Sequence, residues 1–159
     1  MIRKNLANWL KAIIIGTSVF GIAVYFGVTP VLGKTIANAN PEFNYCFLPW
    51  LIFIWITAVP CYAVLVLGWR IAGNIGRNHS FCKDNARYMK YVSYLAVADS
   101  AIFFFGNIVF LFLNMNHPGI LLLSLLVTFG GILIAIAAAI LSHLIMKAAD
   151  IQEQNDLTI

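Results

Sequence analysis

Arg70-Ile-Ala-Gly-Asn-Ile-Gly-Arg-Asn-His-Ser-Phe-Cys-Lys-Asp-Asn-Ala-Arg-Tyr-Met-Lys90 is the largest polar island of a chain that is otherwise mostly apolar. Arg70, Arg77, Lys83, Arg87 and Lys90 lie in it, half of the ten Lys and Arg residues. Two long apolar runs precede the island and two follow it. A membrane helix needs about 20 such residues, and each run is long enough. The pattern therefore predicts an all-α, polytopic integral membrane protein. Its four transmembrane helices form an antiparallel bundle, and the third extends into the cytoplasm.

Composition agrees. Hydrophobic residues make up 62% of the 159 and charged residues 10%, where soluble domains carry about 45–50% and about 25%. So much apolar surface needs lipid as its solvent. The net charge of +4 sits at the ends of the apolar runs, which fits anionic headgroups and speaks against direct nucleic-acid binding.

Working from the island toward the N-terminus, the second span covers about 47–69, with Trp50, Trp55 and Trp69 along it. Pro60 lacks a backbone donor and crowds the carbonyl of Ile56, so a kink is expected there. A polar loop is read over 35–45, and the first span over about 12–32. In that span Gly16, Gly21 and Gly27 permit close helix approach without completing a strict GxxxG. Ala37-Asn38-Ala39 resembles a cleavage site, but the run before it exceeds the 7–15 residues of a signal-peptide core, so a retained span is expected.

Within the island, Ser80 is the expected N-cap of the third helix, with Asp84 in its early turns. Lys83, Arg87 and Lys90 make one basic stripe. Phe81, Asn85, Tyr88 and Val92 make another face. The third span, about 91–113, carries Asp99 about 13 Å beyond Lys90, near mid-membrane, with Asn107 further along a similar face. An acid at that depth is either a structural hydrogen-bonding group or part of a proton pathway. Asn114–Pro118 is a tight turn into the fourth span, about 120–145. There Gly131, Ala135, Ala138 and Ser142 put small residues on one face. His143 lies about 7 Å from Asp99 in depth, so it is expected to be packed or interfacial rather than paired with it.

Arg3, Lys4, Lys11, the island and Lys147 hold nine of the ten basic residues, leaving only Lys34 on the other side. Both termini are therefore expected in the cytoplasm, with the loop 70–90 and the tail 146–159, around a single membrane domain spanning 1–159. Cys46, Cys61 and Cys82 have no repeated spacing and are read as packing residues. No metal site, cofactor or catalytic constellation is expected: His-Glu-x-x-His, Gly-x-Ser-x-Gly and a carboxylate pair are all missing. His79 and Cys82 offer two ligands where zinc takes three or four.

Ile75-Gly-Arg-Asn-His-Ser-Phe-Cys-Lys-Asp-Asn-Ala86, the Asp99-Ser100 pair and the ending Gln152-Glu-Gln-Asn-Asp-Leu-Thr-Ile159 resemble domain-of-unknown-function family 2975, four-span membrane proteins of bacteria. The resemblance covers nearly the whole chain. It implies that Ser80, Phe81, Asn85 and the tail belong to a recurring polar signature. It also implies a bacterial inner-membrane location and, since members are often encoded beside a small helix-turn-helix regulator, a cytoplasmic protein partner. His79 and Cys82 are not part of that pattern. The expected reading is a membrane anchor or sensor whose candidate partner-binding residues are Ser80, Phe81, Asn85, Arg87, Asn155 and Asp156. The alternative is a small proton-linked carrier using Asp99, with Asn107 as a second intramembrane polar candidate. Besides the lipid bilayer, self-association into a homo-oligomer stays open. The island and the acidic tail (Asp150, Glu153, Asp156) are expected to touch when no partner is bound.

Overall fold

The computed structural model describes the backbone of residues 2–156 and the side chains of 4–155. It is all helical, with no strand among the described residues. Helix α1 (Ile2–Ile22) passes through a π-helical segment, Ala23–Val28, into α2 (Thr29–Ala39). A single 3-10 turn, Pro41–Phe43, leads to α3 (Asn44–Gly76). Then come α4 (Lys83–Phe112) and α5 (Pro118–Asp156). Four helical stretches, 4–39, 41–76, 83–112 and 118–155, are long and apolar enough to cross a membrane.

The four expected spans are present, but their connectors are shorter than the polar residues implied. The loop expected over 35–45 shrinks to Asn40 and the 3-10 turn, because the helix continues to Ala39 and the next begins at Asn44. Thr35 and Asn40 bond back to the carbonyls of Val31 and Ile36, so polar side chains extend this helix end instead of opening it. Helix α3 runs through Gly73 and ends at Gly76. At 33 residues it is about 50 Å long, well beyond the ~30 Å hydrocarbon layer. Pro49 and Pro60 both lie inside it. The π-helical segment has a local cause. Pro30 would crowd the carbonyl of Phe26 in a regular helix. The wider turn avoids this, and the Thr29 backbone N–H and hydroxyl both donate to Val24 O, the hydroxyl at 2.8 Å.

Packing pairs follow a consistent order. Along α1–α2 and α3, Ala7 meets Gly76, Ile14 meets Gly68, Tyr62 Oη donates to Ser18 O at 2.9 Å, and Trp55 Nε1 donates to Tyr25 O at 3.1 Å. Of the three glycines expected to allow close approach, only Gly21 is tightly covered, by Tyr62; Gly16 and Gly27 face open space. Between α3 and α4, Trp50, Phe53, Phe103 and Phe110 form an aromatic cluster with ring centroids 4.9–5.9 Å apart. Phe53 lies directly against Gly106, where a Cβ would overlap its ring.

Between α4 and α5 the small-residue face works as expected. Ala135, Ala138 and Ser142 are buried, Gly131 lies under Ser100, and Ser142 Oγ donates to Ala86 O at 2.6 Å. Most other large apolar side chains point outward, from Trp9 and Phe20 to Leu133 and Leu144. That exposed surface needs a lipid solvent.

Candidate functional site

The island is built around two asparagines. Helix α3 ends with Asn78 in the left-handed region, φ 64°. The N–H of Asn78 bonds Ile75 O and that of His79 bonds Asn74 O, which closes the helix in a Schellman turn. Asn tolerates this conformation better than most residues with a Cβ. The chain then runs extended through Cys82 (φ −127°, ψ 155°), the N-cap of α4, without a side-chain cap bond. The expected Ser80 N-cap is thus corrected: α4 starts at Lys83, and Ser80 contributes its backbone carbonyl instead. The cause is Asn85, 1% exposed. Its Nδ2 donates to His79 O (3.1 Å) and Ser80 O (2.9 Å), while its Oδ1 accepts from Asn74 Nδ2 at 2.8 Å. One side chain thereby ties the loop to α3 and draws the carbonyls of 79 and 80 inward, away from a helical start.

This changes the list of candidate contact residues. Asn85 is a buried organiser of the loop and presents nothing to a partner, so it is removed from the expected docking face. Val92 is buried on the same side of α4. Phe81 is 59% exposed; Arg87 and Asn155 are exposed and Ser80 is half-buried. The Asp156 side chain lies outside the described residues. Sequence reading placed Asn85 on the docking face, because an asparagine in a charged island looks like surface. Asn74 escaped notice altogether. The available signal was that two asparagines flank a turn at a spacing that lets one satisfy the other.

The stripe lysine Lys83 reaches the tail. Its Nζ lies 2.6 Å from Glu153 Oε2 and 3.7 Å from Asp150 Oδ1, with all three side chains exposed. The hydrogen bond and charge of Glu153, helped by Asp150, hold the lysine pKa above its usual 10.5. The expected contact between island and tail is present through Asp150 and Glu153. Arg70 stacks over the Tyr88 ring (5.8 Å to the centroid), Lys90 over Tyr94 (5.7 Å) and Lys11 over Trp69 (5.2 Å). Basic groups and aromatic rings therefore share one level of the molecule, as at a membrane interface.

Further along α4, Asp99 is half-buried. Its Oδ2 accepts a weak bond from the Cys61 thiol at 3.6 Å, and its buried Oδ1 has no protein partner. Asn107 is fully buried, donating to Phe103 O at 2.8 Å and accepting from Asn116 Nδ2 at 3.0 Å. The two intramembrane candidates are separately engaged, Asp99 with α3 and Asn107 with the turn after α4. His143 is exposed. Cys46 is buried, Cys82 half-buried beside Asn74, and Cys61 exposed next to Asp99. Among the described residues, no three metal-ligating side chains converge.

The geometry is that of a helical membrane protein with one basic, tail-contacting end. Comparison with known proteins agrees. The chain is 29% identical over 156 residues to the "Uncharacterized membrane protein YoaS" of Bacillus subtilis (strain 168), covering 94% of each chain. No solved structure matches. Four candidate spans and a membrane relative make this a membrane protein. The family model described as "Protein of unknown function (DUF2975)" matches residues 31–159, from the end of the first span through the whole loop and tail, and the chain belongs to that family.

Proposed function

We propose that the protein is an antiparallel four-helix bundle of the bacterial cytoplasmic membrane with both termini inside, serving as an anchor or sensor for a cytoplasmic protein. The loop 70–90 and the C-terminal tail form the docking surface. The observation that carries this reading is the exposed contact of Lys83 with Glu153 and Asp150. Exposed ion pairs are individually weak and salt-screened, which suits a contact exchanged for a partner. Further support comes from the packing pairs, whose residue numbers fall along one helix as they rise along the next, and from the nine basic residues gathered at one end.

Phe81 and Arg87 are the exposed side chains on the loop that a partner would bury. The test is capture of the full chain in mild detergent, with the double change Phe81→Ala and Arg87→Gln and, separately, deletion of residues 155–159. Each variant is expected to insert normally and to lose a cytoplasmic protein that the wild type retains. If both keep every partner of the wild type, docking at these surfaces is wrong.

A second reading, a proton-linked carrier, is favoured by one observation, the buried and partnerless Oδ1 of Asp99. It calls for a proton-exchanging group, so Asp99→Asn separates it from the first.

A further inference from the structure

Helices α3 and α4 touch at two levels on the basic side of their aromatic cluster. Near the middle, the Cys61 thiol meets Asp99. At the basic end, Arg70 stacks on Tyr88 and Asn74 bonds Asn85. Between these levels the helices leave an open groove of about 690 Å³, within the ~300–1,000 Å³ usual for small-molecule sites. Ala63, Val66, Leu67, Leu95 and Ala98 form its apolar walls. Arg70, Tyr91 and Tyr94 line it too, with the Lys90 ammonium 5.7 Å from the Tyr94 ring centroid. From Ala63 to Arg70 the groove runs about 10 Å along the helix axis.

We propose that this groove binds an anionic phospholipid, its phosphate held by Arg70 and Lys90 and the upper part of one acyl chain laid between Ala63 and Ala98. Charge selects the occupant. Arg70 lines one end, Lys90 lies over the ring of Tyr94 in the same wall, no acid lines the groove, and the walls below offer nothing polar. Arg70 and Lys90 are themselves exposed and braced on aromatic rings, so both can turn donors to a phosphate without losing their packing. Arg presents a planar donor fork suited to phosphate, and Lys adds a point charge. The phenols of Tyr91 and Tyr94 sit at the same level, where aromatic groups with a polar tip favour the interface. A second copy of the chain is a poorer occupant, since pairing the same grooves would bring like charges together.

The groove's chemistry depends on membrane placement alone; only the assignment to the cytoplasmic leaflet rests on the orientation proposed above. The test is native mass spectrometry of the full chain released from micelles with phosphatidylglycerol, phosphatidylcholine of the same acyl chains, or inorganic phosphate. Phosphatidylglycerol should be retained in preference to phosphatidylcholine, and inorganic phosphate should not displace it. The double variant Arg70→Gln with Lys90→Gln should weaken phosphatidylglycerol retention about thirtyfold, while Arg70→Lys with Lys90→Arg retains the preference. Ala98→Phe, filling the groove from an exposed position, should lower retention of both lipids with the melting temperature held. Equal retention of the two lipids, displacement by phosphate, or an unchanged preference in the glutamine variant would overturn the proposal. So would a dimer that Ala98→Phe dissociates while lipid preference persists. Reversed topology in cells would move the site to the other leaflet and leave these micelle results unchanged, so the two failures are distinguishable.

Discussion

The turn after α3 and the turn after α4 are built the same way and present opposite surfaces. Each helix closes in a Schellman turn on a left-handed asparagine, Asn78 with φ 64° and Asn114 with φ 54°. Each connector is secured by a fully buried asparagine, Asn85 at one end and Asn107 at the other. Around the first lie five basic residues and an acidic tail; residues 113–117 after the second contain no Lys, Arg, Asp or Glu. Tyr45 and Trp50 simply cover the second turn, donating to the carbonyls of Asn114 and Met115. Backbone closure is thus a shared structural device. What distinguishes the ends is charge, and the docking surface proposed above lies at the charged one.

The two asparagines offer the sharpest way to break this comparison. Asn85→Ala strands the Asn74 amide and the carbonyls of His79 and Ser80, for a loss of about 3 kcal/mol. Asn107→Ala removes one of two acceptors of the Asn116 amide, which also bonds Asn107 O at 3.4 Å, and Phe103 O sits inside the helix, for about 1 kcal/mol. Thermal melting in detergent should rank Asn85→Ala clearly below Asn107→Ala. The reverse order would mean that the uncharged turn, not the island, is the more tightly organised.

Much of this contrast was legible in the sequence, and the missed part has a clear physical origin. Four spans, the tight Asn114–Pro118 turn and the small-residue face of α5 follow from periodicity and length, which are local signals. The loop over 35–45 and the Ser80 cap were misjudged because they depend on what a side chain finds in space. Thr35 and Asn40 found carbonyls of their own helix, and Asn85 found Asn74 across the turn. The π-helical segment was overlooked although Pro30 lies inside the expected first span. The contact between island and tail was legible because opposite charges gathered at one end need no precise geometry to meet.

Asp99 lies between the two ends and tests whether the membrane interior is structural. As a hydrogen-bonding group beside Cys61 it is replaceable by Asn, so Asp99→Asn should leave folding and partner binding nearly unchanged. Asp99→Leu removes the acceptor of the weak Cys61 thiol bond and should lower stability by no more than about 1 kcal/mol. A folded Asp99→Asn protein without cellular function would instead promote the carrier reading.

The tail contact should give the smallest stability effect, because every side chain in it is exposed. Lys83→Gln should barely move the melting temperature but speed amide exchange over residues 147–155. Restoring charge in reverse, Lys83→Glu with Glu153→Lys, should slow it again. Because the folded-state pKa of Lys83 is raised above 10.5, its contribution is fully present below that value and is lost as pH rises through the folded-state pKa. Protection of the tail amides, taken relative to an unstructured peptide at the same pH, should therefore fall at strongly alkaline pH.

The central claim is that the basic, tail-contacting end faces the cytoplasm. Single cysteines at positions 40 and 79, both exposed, in a cysteine-free full-length chain test it directly with a membrane-impermeant thiol reagent on intact cells. The account predicts strong labelling at 40 and protection at 79 until the membrane is permeabilised. Labelling at 79 with protection at 40 would contradict it.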